Sequence, residues 1–240
     1  MSHDDVSDEN LSAENLVDDM PSPWPWAVAT AVVGLVGVWL LVREVYPAVP
    51  DPMPTHWNGQ GVADEFAPRT PGRFIGVAAL GPGLMLLTLA LVEATLAVLR
   101  TTTTHDDAQE RLRANIGAAR KHLGWYLFAM SMAVMGLVAA LYSGESSRWV
   151  LPVFLVAVLV LTVVLVVAMS ADFRARLGPD QRARWWGPLY RDPDDPRVLV
   201  ATGTNYTFNV AHQGGVIGAV VLLAMPLLVV AGVLVAVFAG

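Results

Sequence analysis

The sequence predicts an all-α integral membrane protein, a bundle of five transmembrane helices with one short cytoplasmic β-hairpin. Three observations predict this. Trp24–Val42, Phe74–Leu99, Leu123–Tyr142, Trp149–Met169 and Val216–Phe238 are apolar runs of spanning length, about 20 residues being enough to cross the hydrocarbon core. Of the 240 residues, 55% are hydrophobic, above the share usual in soluble domains. The basic residues are also concentrated in alternate loops.

The first run follows an acidic leader. Residues 1–26 hold seven carboxylates and no Lys or Arg, so residues 1–23 are expected to be a disordered tail. A secretory signal would have a basic start and a shorter core, so Trp24–Val42 is expected to remain as a helix. The remaining divisions are 24–99 (two spans and the loop between them), 100–169 (a cytoplasmic helix and spans three and four) and 170–240 (the hairpin and span five).

Loop charge sets the sidedness. Residues 100–122 and 170–215 together carry eleven Lys and Arg, and the alternate loops carry four. Positive loops stay inside. The N-terminus is therefore expected in the cytoplasm of a cell-membrane protein, with 43–73, 143–148 and the C-terminus outside. Trp24, Trp26, Tyr46, Tyr142 and Trp149 fall at the expected interfaces.

Span three is expected to begin early. Thr104 reads as an N-cap with Asp107 and Glu110 behind it, and no strong breaker follows before Tyr142. After span four, Gly178-Pro179 should end the helical extension 170–178, leaving Trp185 and Trp186 at the inner interface. Prolines and aspartates at 187–196 predict turns. The alternating segments 198–202 and 205–210 around Gly203 predict the hairpin.

The outer loop 43–73 reads as stiff and irregular. Pro47, Pro50, Pro52 and Pro54 fix their backbone, and Gly59 and Gly61 permit a tight turn. His56, Trp57, Asn58 and Asp64 are the polar and aromatic residues left on it. His56 reads as a turn residue, a ligand contact or a metal ligand, although the spacing of Asp51, Asp64 and Glu65 matches no metal motif. Trp57 reads as an interface anchor or a stacking platform. Asn58 and Asp64 read as turn formers or as part of a recognition loop.

Tyr46, Pro47, Pro50, Pro54, His56, Trp57, Asn58, Gly61 and Asp64 stand in the order Tyr-Pro-x-x-Pro-x-x-x-Pro-x-His-Trp-Asn-x-x-Gly-x-x-Asp. This pattern resembles the N-terminal membrane domain of unknown function found in SdpI-like toxin-immunity proteins. A second segment, with Asp194, Asp195, Pro196, Arg197, Asn209 and His212, resembles a small uncharacterised module that often follows the first. Asp192 stands where that module usually has Asn. The resemblance implies protection against a secreted peptide toxin, or reception coupled to a repressor held at the membrane.

Three readings follow. In the first, the protein is an immunity, sensor or signalling protein. Its outer residues His56, Trp57, Asn58, Gly61 and Asp64 meet a peptide toxin, a lipid headgroup or a neighbouring membrane protein, and its inner loops report to a cytoplasmic regulator. In the second it is a transporter or transporter subunit. Glu93 is then an intramembrane carboxylate about 9 Å from the inner end of its helix, near a helix break at Gly81-Pro82-Gly83, and a homodimer or a partner protein is required. An acid at that depth is by default a functional hypothesis, with pairing to Arg100 or Arg120 as the structural alternative. In the third it is a structural protein with no ligand.

Gly34, Gly37, Gly214, Gly215 and Gly218 point to close helix packing. A site formed by His105, His122 and His212 is a further metal alternative. No phosphate loop, zinc-protease motif or nucleophile elbow occurs, so no enzyme, metal or cofactor is expected. The sequence has no basic field for nucleic acid. The lipid bilayer is the one certain partner of this reading.

Overall fold

A computed structural model describes residues 21–58, 62–102, 106–143, 149–201 and 206–239. The acidic tail, Thr104, His105, Gly59 and Gly61 lie outside the described residues.

Five described helices are long and apolar enough to cross a membrane, the pattern of a multi-pass membrane protein. The first, α1, spans Trp24–Leu40 and continues through a π turn at Leu41–Val45 and a 3-10 turn at Tyr46–Ala48. Pro47 fits that last turn because its fixed φ is already helical, so this part of the proline segment is wound and not extended. Strands β1 (Met53–Trp57) and β2 (Ala63–Ala67) follow, then α2 (Pro71–Thr102) and α3 (Asp106–Tyr142). The fourth span is α4 (Val150–Arg176), followed by the short α5 (Pro179–Ala183). Four short strands come next, β3 (Trp185–Trp186), β4 (Leu189–Tyr190), β5 (Leu199–Ala201) and β6 (Tyr206–Phe208). The last helix, α6, spans Gln213–Ala239.

The helices satisfy their own backbone groups, which lipid requires of a spanning segment. As expected, span three starts well before its apolar part. Helix α3 is the hub. It packs against α1, α2 and most extensively α4, while α6 touches α4 and β6.

The expected break at Gly81-Pro82-Gly83 is absent, and α2 runs unbroken through Pro82. The glycines serve packing. A Cβ added at Gly34 would lie 2.7 Å from Pro82 Cβ, and one at Gly81 would lie 2.9 Å from the Val134 side chain. The tripeptide is therefore the thin point where α1, α2 and α3 meet. Gly124 does the same for Trp26, whose ring also packs 5.8 Å from Phe128. Gly215 and Gly218 receive the Asn209 backbone and the Phe208 ring, so they fit α6 to the small strands and not to another helix.

The single expected hairpin is three two-stranded antiparallel sheets. The expected one pairs Leu199–Ala201 with Tyr206–Phe208. A second pairs β3 with β4 through Gly187, whose φ of +59° is left-handed and suits glycine. A parallel bridge from Tyr190 to Asn209 joins the two. Trp185 is consequently not at an interface. It is 4% exposed and stacks edge-on against Phe173 and Tyr190, while Trp186 faces outward. The third sheet, β1–β2, replaces the irregular outer loop.

Gly34→Ala is expected to destabilise the bundle by about 1–3 kcal/mol through overpacking against Pro82. Gly83→Ala, where nothing lies within 4 Å, should be neutral. Melting temperatures of the two variants in the same detergent check this.

Candidate functional site

The β1–β2 hairpin stands on a floor built from four elements. Met53 and Val49 are fully buried with Phe74, Ala78, Leu41, Met135, Val138 and Tyr142. The Tyr142 hydroxyl donates to the Pro54 carbonyl at 2.6 Å. Trp57 meets the Tyr142 ring edge-on at 5.3 Å, and Phe74 meets it at 5.5 Å. Pro54 has no N–H to donate, which a two-stranded ribbon tolerates because its outer edge needs none.

Register is set by Met53 opposite Ala67, Pro54 opposite Phe66, His56 opposite Glu65 and Trp57 opposite Ala63, with irregularities on either side of His56. Asn58 holds the turn twice. Its N–H donates to the Val62 carbonyl at 2.9 Å, and its Oδ1 accepts from Val62 N–H at 3.0 Å. Arg69 ties the entry to the exit. Its N–H donates to Asp51 at 3.1 Å, its Nη1 donates to the Val49 carbonyl at 2.8 Å, and its guanidinium lies 5.6 Å from the Tyr46 ring centre. Tyr46 packs 5.3 Å from Phe74.

The motif thus divides by role. Tyr46, Pro47, Pro54, Trp57 and Asn58 build the hairpin and its floor. Pro50 is exposed, and Gly61 lies outside the described residues. His56 and Asp64 are left facing away from the bundle, with 58% and 44% of their side-chain surface accessible. His56 Nδ1 lies 2.6 Å from Asp64 Oδ1. That hydrogen bond, and then the carboxylate charge, raise the His56 pKa above its usual 6.5. Glu65 and Phe66 are exposed beside them. The opposite face, with Met53, Phe74 and Tyr142, could not have been found from spacing alone. Their only signal was an aromatic residue at the end of each of two spans.

At the other end of the bundle the Asp-Asp-Pro-Arg segment and the Asn-Val-Ala-His segment form one knot. Asn209 is fully buried. Its Oδ1 accepts from the N–H groups of Asp192 and Ala211 at 3.1 and 3.2 Å. Its Nδ2 donates to the carbonyls of Asp192 and Asp195 at 2.8 and 3.0 Å. Those bonds use every hydrogen-bonding position of the amide. His212 Nε2 lies 2.6 Å from the Asp195 carbonyl, and a carbonyl only accepts, so the proton is on Nε2. Asp195 also takes two bonds from the Arg197 guanidinium, at 2.8 and 2.6 Å. Those bonds hold its carboxyl down to about 2. Asp194 only closes a turn, its N–H donating to Asp192 at 3.0 Å, and Pro196 is an exposed bend between Asp195 and Arg197. A side chain so saturated is structural, and the knot rests on Ala114 and Ala118 of α3, Phe173 of α4 and Leu177 just past the end of α4.

Glu93 is paired. Arg120 Nε donates to its two oxygens at 3.2 and 3.0 Å, and Nη2 also contacts Oε2. Both side chains are about one-fifth exposed. This is the Arg120 alternative of the sequence reading, and it links α2 to α3. A second cluster links α3 to α4, where Asp172 receives Lys121 at 2.6 Å and Arg176 at 2.9 Å. Among the described residues no group of three or more His, Asp or Glu could hold a metal ion. His122 bonds Trp125 and His212 bonds Asp195, so these two do not meet.

Residues 26–80 match the family model of a domain of unknown function, DUF1648. The matched stretch contains α1, the hairpin and the first turns of α2. No curated protein and no solved structure matches the chain.

The raised His56 pKa has a signed consequence. Its stabilisation of the hairpin is complete below about pH 6.5 and fades as pH rises through the higher folded value. The melting difference between the native chain and Asp64→Asn should therefore shrink from about pH 5 to about pH 9. Asn209→Ala strands four backbone groups and should cost on the order of 3 kcal/mol. Faster limited proteolysis within 185–212 checks it.

Proposed function

We propose that this chain is an SdpI-like immunity or sensor protein of the cell membrane, with the β1–β2 hairpin outside and the arginine-rich end in the cytoplasm. One observation carries the reading. The hairpin spends Met53 and Trp57 on a rigid floor and leaves His56, Asp64, Glu65 and Phe66 exposed. Exposed functional side chains on a loop held by a scaffold are the usual form of a recognition site. The motif resemblance and the match over 26–80 support it, since both fall on this unit.

The partner that fits is a basic or amphipathic peptide. Asp64 and Glu65 offer carboxylates to its cationic groups, and Phe66 and Val62, each more than half exposed, offer apolar contact. Trp57 is an anchor in this reading and Asn58 a turn former, which leaves the direct contact to His56, Asp64, Glu65 and Phe66. The knot at the opposite end is the surface that meets a cytoplasmic regulator.

The carrier reading has less support. Glu93 is held by Arg120, and no helix break opens beside it. A coupling carboxylate must exchange its proton or ion, and a bidentate guanidinium opposes that.

Cells carrying the native chain, His56→Ala, Asp64→Asn or Glu93→Gln, challenged with membrane-active cationic peptides, separate the readings. The hairpin variants should lose about tenfold in protective concentration, the effect of about 1.4 kcal/mol of contact energy, with unchanged protein level. Full protection by both hairpin variants would sink the proposal. A proton-dependent flux abolished by Glu93→Gln would favour the carrier.

A further inference from the structure

A cavity of about 440 Å³ lies where α4, α6 and the β4–β6 strands meet. Its volume is within the range of about 300–1,000 Å³ typical of small-molecule sites. The walls change character along the helix axes. Val166 and Met169 on α4 and Leu222 and Leu223 on α6 line the deep part, and Asn115, Tyr206 and Thr207 line the shallow part. The α6 lining starts at Ala219, six residues past Gln213, and ends at Leu223, which is about 9–15 Å into that helix at 1.5 Å per residue. The cavity therefore begins at the polar boundary and reaches into the spanning region.

We propose that this cavity binds one acyl chain of a phospholipid whose anionic head group rests at the arginine-rich end. Helices α4 and α6 both line the cavity, and α6 makes far less contact with α4 than α3 does. An apolar depth under a polar rim is the shape of an amphiphile. The head group has a cationic partner at hand. Arg174 follows Ser170 of the lining by four residues on α4, and its Nε is buried with no hydrogen-bond acceptor. A buried guanidinium nitrogen without an acceptor is costly, and a phosphate oxygen removes that cost. Two of the three lining hydroxyls, those of Ser170 and Thr207, are engaged within the protein. Ser170 donates to the Val166 carbonyl and Thr207 to the Pro188 carbonyl at 2.9 Å.

A second cavity, of about 420 Å³ between α3 and α4, is a useful contrast. Gly136, Leu137, Val153 and Phe154 line it, and no polar side chain does except the Trp149 indole. Without a polar rim it has nothing to hold a head group.

The full chain reconstituted with a phosphatidylglycerol carrying a photoreactive acyl chain tests the proposal. Crosslinks are expected on Phe208, Leu222 and Met169, and about tenfold fewer when the same probe has a phosphatidylcholine head group. Ala219→Phe fills the cavity from α6 and should remove the crosslinks about tenfold. Leu223→Trp narrows it from a half-exposed position and should do the same if Ala219→Phe fails to fold. Gly136→Phe, in the other cavity, should leave them unchanged. Crosslinks spread evenly over outward residues such as Val163 and Val220, equal labelling by both head groups, or recovery of free fatty acid alone would overturn it.

Discussion

A small two-stranded sheet has almost no core of its own and must borrow one. The described residues form three such sheets, and every one borrows from α3 or from a helix packed on it. Tyr142 at one end of α3 carries the β1–β2 hairpin through its hydroxyl and its ring. Ala114 and Ala118 near the other end make room for Trp185, Tyr190 and Val200. The helix must therefore run unbroken from Asp106 to Tyr142. Shortening it to the apolar stretch alone would remove the floor of the C-terminal knot.

Charge is placed with the same economy. Two ion clusters among the described residues, Glu93 with Arg120 and Asp172 with Lys121 and Arg176, bridge neighbouring helices near the arginine-rich end. Buried pairs are poor sources of net stability but strict about geometry, so they fix which helices adjoin and at what height. Arg182 closes the end of α4, donating to the carbonyls of Arg174, Ala175 and Leu177 at 2.9 Å each. Carbonyls in the last turn of a helix have no partner further along it, and Arg182 supplies donors there beside the Leu177 N–H that already reaches the Arg174 carbonyl.

The two motif segments differ in what they leave free. In the Asp-Asp-Pro-Arg and Asn-Val-Ala-His knot the polar groups bond one another, with Asn209 saturated at its centre. In the hairpin the bonding is split by face. The alternation of a strand sends Met53 and Trp57 towards the bundle and His56 away from it. That geometry separates residues that stand side by side in the chain, and it leaves His56 and Asp64 paired on the exposed side of the hairpin.

Five spans, the early start of α3, the stop at Gly178-Pro179 and the hairpin after residue 198 were all legible in the sequence. Each rests on local physics, namely run length against bilayer thickness, capping and turn chemistry. The β1–β2 hairpin was hidden because prolines at 50, 52 and 54 mask a strand whose free edge needs no donor. The unbroken α2 was hidden too, because a Gly-Pro-Gly sequence signals a break unless neighbouring helices press against it. The partner of Glu93, the buried side of Trp185 and the joining of Asp195 to His212 depended on distant segments meeting. Solvent and local backbone preference are written residue by residue, so the chain alone shows which segments are long and apolar enough to cross lipid. Which side chains face one another is decided only when helices close on a shared neighbour, and here that neighbour is α3.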